Sequence, residues 1–417
     1  MSDATRQLIV QEKKTFHLAI GIVLNKDVTI HMLKVRRMGD QKIKCGVVGC
    51  GVVANESYLP TIAEKGELVA TCDRIRERAE RSMELWGAKE CYTNIDEMLK
   101  KADIDAVFIL SGMGMHAEHA AKAARAGKHL LIQKPFATNM IDAKKAFNAI
   151  RKAGIKALVE PNVQMNPLYL KAKSILEEGT IGEVYWFRAG LGRGPPTWGE
   201  ETFFTRQAGG PLFDLGVYQI AALTFLLGPA SSVTGMAKLS IPDRFIVPEE
   251  FFTEHLAHKP YESFWPKIAN AKPTKRIKMT VEDNTFTLIN MKSGSLGCII
   301  ANFVTPDGLR TDIGSMPDIE IYGSDGALLI GGQAAISVMT KRKESKYYLP
   351  ESWYHMPKQD FPPWNYYRAS TEHFFDCILN DKEPLPSLKW GMHVSEIMIK
   401  SLQSSRTGRK LRVSSTF

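Results

Sequence analysis

The stretch Lys44-Cys45-Gly46-Val47-Val48-Gly49-Cys50-Gly51-Val52-Val53-Ala54 restricts the fold more than any other. A β-branched apolar run turns on two glycines into the start of a helix, and Gly49, Gly51 and Ala54 form G-x-G-x-x-A. This is the relaxed form of a dinucleotide fingerprint. Gly49 permits the tight strand-to-helix turn, Gly51 lets the backbone approach a pyrophosphate, and Ala54 keeps helix and strand close. The free N–H groups of Cys50, Val52 and Val53 at the helix start suit a diphosphate. After a helix expected over about 55–64, Leu68–Asp73 reads as a second strand ending on an acid. Asp73 lies 22 positions beyond Gly51, where a carboxylate receives the adenosine ribose hydroxyls. Its charge would repel a 2′-phosphate and points to NAD, while the adjacent Arg74 leaves NADP open.

Length and composition narrow the class. The 417 residues suit two or three domains, and 44% apolar with 24% charged residues is ordinary soluble composition. Of the formal charge of +9, +5 sits in residues 1–44 and another +5 follows from Lys400 onward. The body between is near neutral, so no basic face is expected for nucleic acid. Six cysteines without a C-x-x-C pairing read as free thiols of a reducing, cytoplasmic compartment. No apolar run reaches bilayer length, so no membrane partner is expected. His116-x-x-His119 and His255-x-x-His258 lack a third ligand, and no metal is expected.

Residues 1–41 form an extension in which Val28–Leu33 is a possible strand. Residues 42–161 alternate strand and helix in the manner of a doubly wound sheet. Strands are expected at Ile104–Leu110, His129–Pro135 and Lys156–Glu160, with helices at His116–Ala126 and Ile141–Ala153. Ligands of such sheets bind beyond the carboxyl ends of the strands. Gly49, Asp73, Ser111 and Lys134 therefore share one rim, with Lys134 able to reach the nicotinamide end. Residues 162–417 change character. A helix is expected at Pro167–Glu178, a strand at Glu183–Leu191 and a Gly/Pro-rich aromatic loop over 192–204. A helix to Leu227 follows, on which Asp214 and Tyr218 stand i and i+4 on one face. Further strands are expected at Ser232–Leu239, Ile277–Asn290, Ser295–Phe303, Ile319–Tyr322 and Ala327–Ile330. An insertion occupies about 241–275, and two helices close the chain, Asn365–Asn380 and Trp390–Ser405.

Taken in order, these motifs resemble the Gfo/Idh/MocA family of NAD(P)-dependent oxidoreductases over about 43–413. The likeness runs through Gly49–Ala54, Asp105–Glu118, Ala126–Pro135, Gly209–Tyr218, Ile321–Gly326 and Glu372–Ser405. It implies an α/β chain: a Rossmann domain followed by an α+β domain with a large, mostly antiparallel open sheet. It implies that Ser111, Gly112, His116, Gln133 and Lys134 line the cofactor. The family's E-K-P stands as Gln133-Lys134-Pro135, its usual proline as Gly112, and an arginine before Pro167 as Gln164. Tyr218 replaces a histidine in a D-x-G-x-Y pattern similar to the glucose–fructose oxidoreductase and dihydrodiol/xylose dehydrogenase branch. The resemblance thus implies Lys134 and Tyr218 as catalytic residues; a Lys134 ammonium beside Tyr218 would lower the phenol pKa, and Asp214, one turn away, would orient the pair or bind a neighbouring sugar hydroxyl. Gln164, Trp198 and Arg206 become substrate candidates; Trp198, Phe203 and Phe204 either stack on a sugar or simply pack the loop. The implied substrate is a sugar or polyol, and the implied assembly a homodimer or homotetramer. A glycoside hydrolase working through transient oxidation and a non-catalytic NAD-binding regulator remain alternatives.

Overall fold

The apolar run of the fingerprint becomes β1 (Lys44–Val48), a central strand of a parallel sheet. The computed structural model describes residues 42–205, 209–251, 264–306, 318–331, 335–341, 350–361 and 365–417. The candidate strand Val28–Leu33, Arg206 and the pair His255/His258 lie outside the described residues. After β1 the chain enters a wide helical turn, Ala54–Tyr58, that continues as α1 (Leu59–Lys65). There follow β2 (Glu67–Cys72), α2 (Arg76–Trp86), β3 (Glu90–Tyr92), α3 (Ile95–Lys101), β4 (Ala106–Ile109), α4 (His116–Arg125), β5 (His129–Ile132), α5 (Met140–Ala153) and β6 (Ala157–Val159). The strand order is β3-β2-β1-β4-β5-β6, every pair parallel. The order reverses between β1 and β4, which opens a crevice at the carboxyl ends of both. All four residues of β4 are buried, as covering on both faces requires. The small side chains of Ala120, Ala121 and Ala124 on α4, with Ala143 and Ala146 on α5, let these helices lie close together.

The second half builds α6 (Pro167–Glu177), β7 (Val184–Gly192), one turn at Glu200–Phe203, and a wide turn, Leu212–Gly216, leading into α7 (Val217–Leu227). Then come β8 (Ala230–Lys238), β9 (Asp243–Ile246), α8 (Phe264–Asn270), β10 (Lys275–Lys278), β11 (Asn284–Met291), β12 (Leu296–Asn302), β13 (Ile319–Gly323), β14 (Gly326–Ile330), β15 (Ile336–Lys341) and β16 (Pro350–Met356). The chain closes with α9 (Tyr366–Leu379), α10 (Leu388–Thr407) and β17 (Leu411–Arg412). Nine strands form one sheet, β16-β15-β14-β13-β7-β12-β11-β8-β17, antiparallel except where β7 meets β12. α6, α7 and α10 bury one face of it through residues such as Ile175, Ile220, Leu223, Trp390 and Ile397. The α/β class and both sheet types agree with expectation.

Two expectations are corrected. The single strand expected at Ile277–Asn290 is two strands: β10 leaves the large sheet and pairs with β9. The chain bends ahead of β11 around the fully buried Asp283, which accepts from the amides of Ser240 and Ile241 and from Arg244. The insertion therefore carries a small sheet of its own. It also reaches the fingerprint, because Val247 and Ile268 pack on Val52. The second correction concerns α9. Phe374 and Phe375 meet Phe108 of β4 edge-on, at centroid distances of 5.6 and 6.0 Å, so this late helix completes the core of the first domain. Among the described residues no helix is long and apolar enough to cross a membrane.

Candidate active site

The crevice at β1 has the geometry of a dinucleotide cradle. Gly49 has φ +97°, and a Cβ there would lie 2.5 Å from the Leu110 carbonyl, so only glycine fits. A Cβ on Gly51 would meet nothing within 4 Å, which leaves the loop open to a pyrophosphate. The Asn55 amide donates to the Cys50 and Gly51 carbonyls at 3.0 Å and fixes the loop. At the end of β2, Asp73 accepts from the amides of Cys50 (2.8 Å) and Ile75 (2.9 Å). The carboxylate is thereby aimed while keeping lone pairs for ribose hydroxyls. Arg74 is turned to Glu201 at 3.2 Å, and Arg78 to Glu249 at 2.6 Å, so second-half segments close over this end.

Several expected cofactor contacts take other roles. The Cys50 thiol is fully buried, and its amide serves Asp73. Val52 is covered by the insertion, while Val53 stays at the helix start. His116 is buried with Nδ1 2.8 Å from the Pro135 carbonyl and Nε2 2.7 Å from the Ser111 carbonyl. It ties the loop after β4 to the loop after β5. Ser111 reaches His119 through its hydroxyl (2.9 Å), and Gly112 is exposed on the rim.

Lys134 leaves the rim at the end of β5. Its ammonium donates to the Asp214 carboxylate and to the Asp214 main-chain carbonyl, both at 2.9 Å. Arg193 Nη2 lies 3.3 Å from the other Asp214 oxygen. The Lys134 nitrogen stands 4.9 Å from the centroid of the Tyr218 ring. Lysine, aspartate and tyrosine, from two domains, therefore form one cluster. The electrostatics correct an expectation, however. Burial, followed by the carboxylates of Asp214 and Glu160, pushes the Tyr218 phenol well above its ordinary 10. Lys134 does not offset this, because its charge is directed to Asp214 and lies over the ring face. At neutral pH Tyr218 is a phenol, not a phenolate.

Beside this cluster lies a cavity of about 300 Å³, lined among others by Gln133, Glu160, Tyr169, Tyr218, Tyr366 and Tyr367. Gln133 donates to the Tyr58 hydroxyl (3.0 Å), which donates to Glu160 (3.1 Å). Burial raises the Glu160 carboxyl to about 7, against hydrogen bonds from Ser370, Tyr58 and Asn162 that favour its charge. Sequence reading missed Tyr58, Glu160, Arg193 and the three further tyrosines. Glu160 ends β6 on the same rim as Lys134, so the strand-end rule could have found it; Tyr366 and Tyr367 come from α9 and carry no local signal. The substrate candidates fare differently. Trp198 packs edge-on to Phe203 at 6.0 Å and joins the Val52–Val247–Ile268 cluster. Phe204 is fully buried, so these aromatics pack the loop down and offer no platform at Tyr218. Gln164 does not line the cavity; its Oε1 is buried without a partner.

Two family models cover this architecture: an oxidoreductase family with an NAD-binding Rossmann fold over residues 43–160, and the GFO/IDH/MocA C-terminal domain over 169–329. The chain belongs to the Gfo/Idh/MocA oxidoreductase family. Among curated relatives, dTDP-3,4-didehydro-2,6-dideoxy-alpha-D-glucose 3-reductase of Actinomadura kijaniata is 31% identical over 207 residues, 49% of this chain and 62% of the relative. The chain spans 57–62% of the length of this relative and of two other 3-reductases. The scyllo-inositol 2-dehydrogenase (NAD(+)) of Bacillus subtilis (strain 168) is 22% identical over 90% of this chain and 97% of its own. Levoglucosan dehydrogenase in complex with NADH and L-sorbose superposes with a TM-score of 0.71 at 19% identity, covering 90% of this chain and 99% of that one. That likeness shows the fold. Within this Gfo/Idh/MocA chain, Gln133 is linked to the Glu160 carboxyl through the Tyr58 hydroxyl.

Proposed function

We propose that the protein transfers a hydride between NAD and a carbinol or ketone carbon of a sugar or polyol. The observation that carries this reading is the meeting of Lys134, from the dinucleotide rim, with Asp214 and Tyr218 beside a cavity of about 300 Å³. NAD, held at the Gly49–Gly51 turn and Asp73, would supply the hydride acceptor or donor. The chain's own groups manage the proton and the charge. Asp214 holds the Lys134 ammonium in place, and that ammonium stabilises negative charge developing on the substrate oxygen. Tyr218, kept protonated by its surroundings, delivers a proton to that oxygen in the reducing direction. In the oxidising direction the base is the phenolate form of Tyr218, scarce at neutral pH; it takes the substrate hydroxyl proton and returns to the phenol, so oxidation is expected to speed up as pH rises. Acid/base assistance of this kind contributes typically ~10²–10⁴-fold in rate. The names of relatives support the substrate class: an inositol dehydrogenase, a D-glucoside 3-dehydrogenase and a levoglucosan dehydrogenase.

The exposed face of the large sheet supports an assembly. Trp186, Leu296, Phe286, Leu288 and Met236 stand exposed on that face on the neighbouring strands β7, β12, β11 and β8, an apolar surface of the kind that marks interfaces. We infer that a second copy of the chain covers it.

A panel of sugars, polyols and inositols offered with NAD or NADP tests the activity. Accumulation of reduced nicotinamide with at least one neutral sugar, faster with NAD, is the expected result. Sugar release without reduced nicotinamide would favour the hydrolase reading instead, and no reaction with bound NAD would favour a regulator.

A further inference from the structure

We propose that Glu160 is the specificity-determining group of the cavity, receiving a hydroxyl of an uncharged monosaccharide or cyclic polyol and turning away sugar acids. The inference rests on the oxidoreductase reading and goes beyond it by naming a recognition residue and a substrate charge. Four observations lead to it. First, at about 300 Å³ the cavity is at the small end for ligand pockets and suits a single ring. Second, the rings of Tyr169, Tyr218, Tyr366 and Tyr367 give it largely aromatic walls, which favour the C–H faces of a sugar over a charged group.

Third, Glu160 is a carboxyl of this lining, only 5% exposed, and held in one orientation. Tyr58 donates to it at 3.1 Å, and the Ser370 hydroxyl and Asn162 amide donate as well. A carboxylate offers about four lone-pair sites, so one remains for a ligand hydroxyl. Fourth, the cations at this end are committed. Lys134 and Arg193 both face the one carboxylate of Asp214. A sugar acid entering the cavity would meet Glu160 without a free cation among the described residues of the lining; like charges oppose its binding to the ionised carboxylate, the form that dominates above about pH 7. The titratable groups around Glu160 are otherwise Tyr58, Tyr218, Tyr366 and Tyr367, which are neutral at physiological pH because burial raises all four.

The test compares the full chain with E160Q, which keeps a carbonyl oxygen for the Tyr58 hydroxyl, and with E160D, which keeps the charge one methylene further back. Neutral sugars and inositols are matched with their uronic and aldonic acids. E160Q is expected to raise KM for neutral substrates ~10–100-fold, the worth of a hydrogen bond to a charged group, with a smaller change in kcat. It should also narrow the preference for neutral over acidic sugars, which E160D retains. Calorimetric NAD affinity stays unchanged in both variants. Calorimetric binding of an unreactive neutral polyol to the NAD-loaded protein falls in E160Q in parallel, a readout independent of turnover. Preference of the wild-type protein for a sugar acid, or unchanged KM and selectivity in a folded, NAD-binding E160Q, would overturn the proposal alone. Absence of turnover with every sugar, while polyol binding still depends on Glu160, would instead remove the oxidoreductase reading and keep the recognition site.

Discussion

At the scale of single residues, Glu160 makes the most distinctive commitment in the molecule. Its carboxyl is raised from 4.5 to about 7 because burial disfavours the charge more than its three donors favour it. The folded state therefore binds this proton more tightly than the unfolded chain does. The resulting stability is fully present below about pH 4.5 and is lost as pH rises through about 7. E160Q, which carries no such proton, should gain on the wild type between about pH 5 and about pH 8, by up to ~3 kcal/mol. Urea denaturation at both pH values measures this, and an E160Q-to-wild-type difference independent of pH would contradict it. Residue-level legibility was uneven for a physical reason. Lys134, Asp214 and Tyr218 sit in local motifs whose spacing already places them on a strand end and a helix face. The Tyr218 pKa depends on Glu160, 58 positions away in sequence, and on where the Lys134 charge is directed. Neither is a property of a motif.

At the scale of elements, the fingerprint turn is the most constrained piece. Gly49→Ala would force a side chain into a left-handed conformation and against the backbone between Leu110 and Ser111, 2.5 Å away. The conformational cost alone is about 1–2 kcal/mol, and the clash adds to it. A lower midpoint in thermal or urea unfolding is expected, with weakened NAD binding; an unchanged midpoint would show that the turn relaxes freely. Strands such as β4 were legible because both faces are covered and the apolar run is unbroken. Helix α2 was not, because six of its eleven residues are charged and only Ala79 and Ser82 are buried. The strand expected at Ile277–Asn290 failed for a related reason. Alternation continues through residues 279–283, while the bend there is set by Asp283 and its partners on the insertion, a contact that no local pattern records.

At the scale of the whole molecule, a parallel sheet over 42–161 was legible in the alternation of apolar runs and helical segments, while the large antiparallel sheet was implied only by the family resemblance. What could not be read was how the ends of the chain return. α9 supplies two tyrosines to the cavity and two phenylalanines to the first domain's core, so the site is complete only when the C-terminal helices are docked. The open face of the nine-stranded sheet makes its own prediction. Phe286→Glu with Leu288→Glu places charge in the middle of that apolar surface and should convert the wild-type oligomer to a folded single chain in light-scattering measurements. A wild-type protein that is already a single chain at micromolar concentration would contradict the assembly.

In the proposed mechanism an ammonium from one domain and a phenol from the other act on the same substrate oxygen beside a bound dinucleotide. Single-turnover reduction of saturating NAD by a neutral sugar or polyol substrate, measured in Lys134→Ala and Tyr218→Phe alongside calorimetric NAD affinity, tests it most directly. Each variant is expected to slow the hydride step by ~10²-fold or more while NAD affinity stays within a few-fold of wild type. Hydride transfer at the wild-type rate in both variants, with NAD still bound, would contradict it.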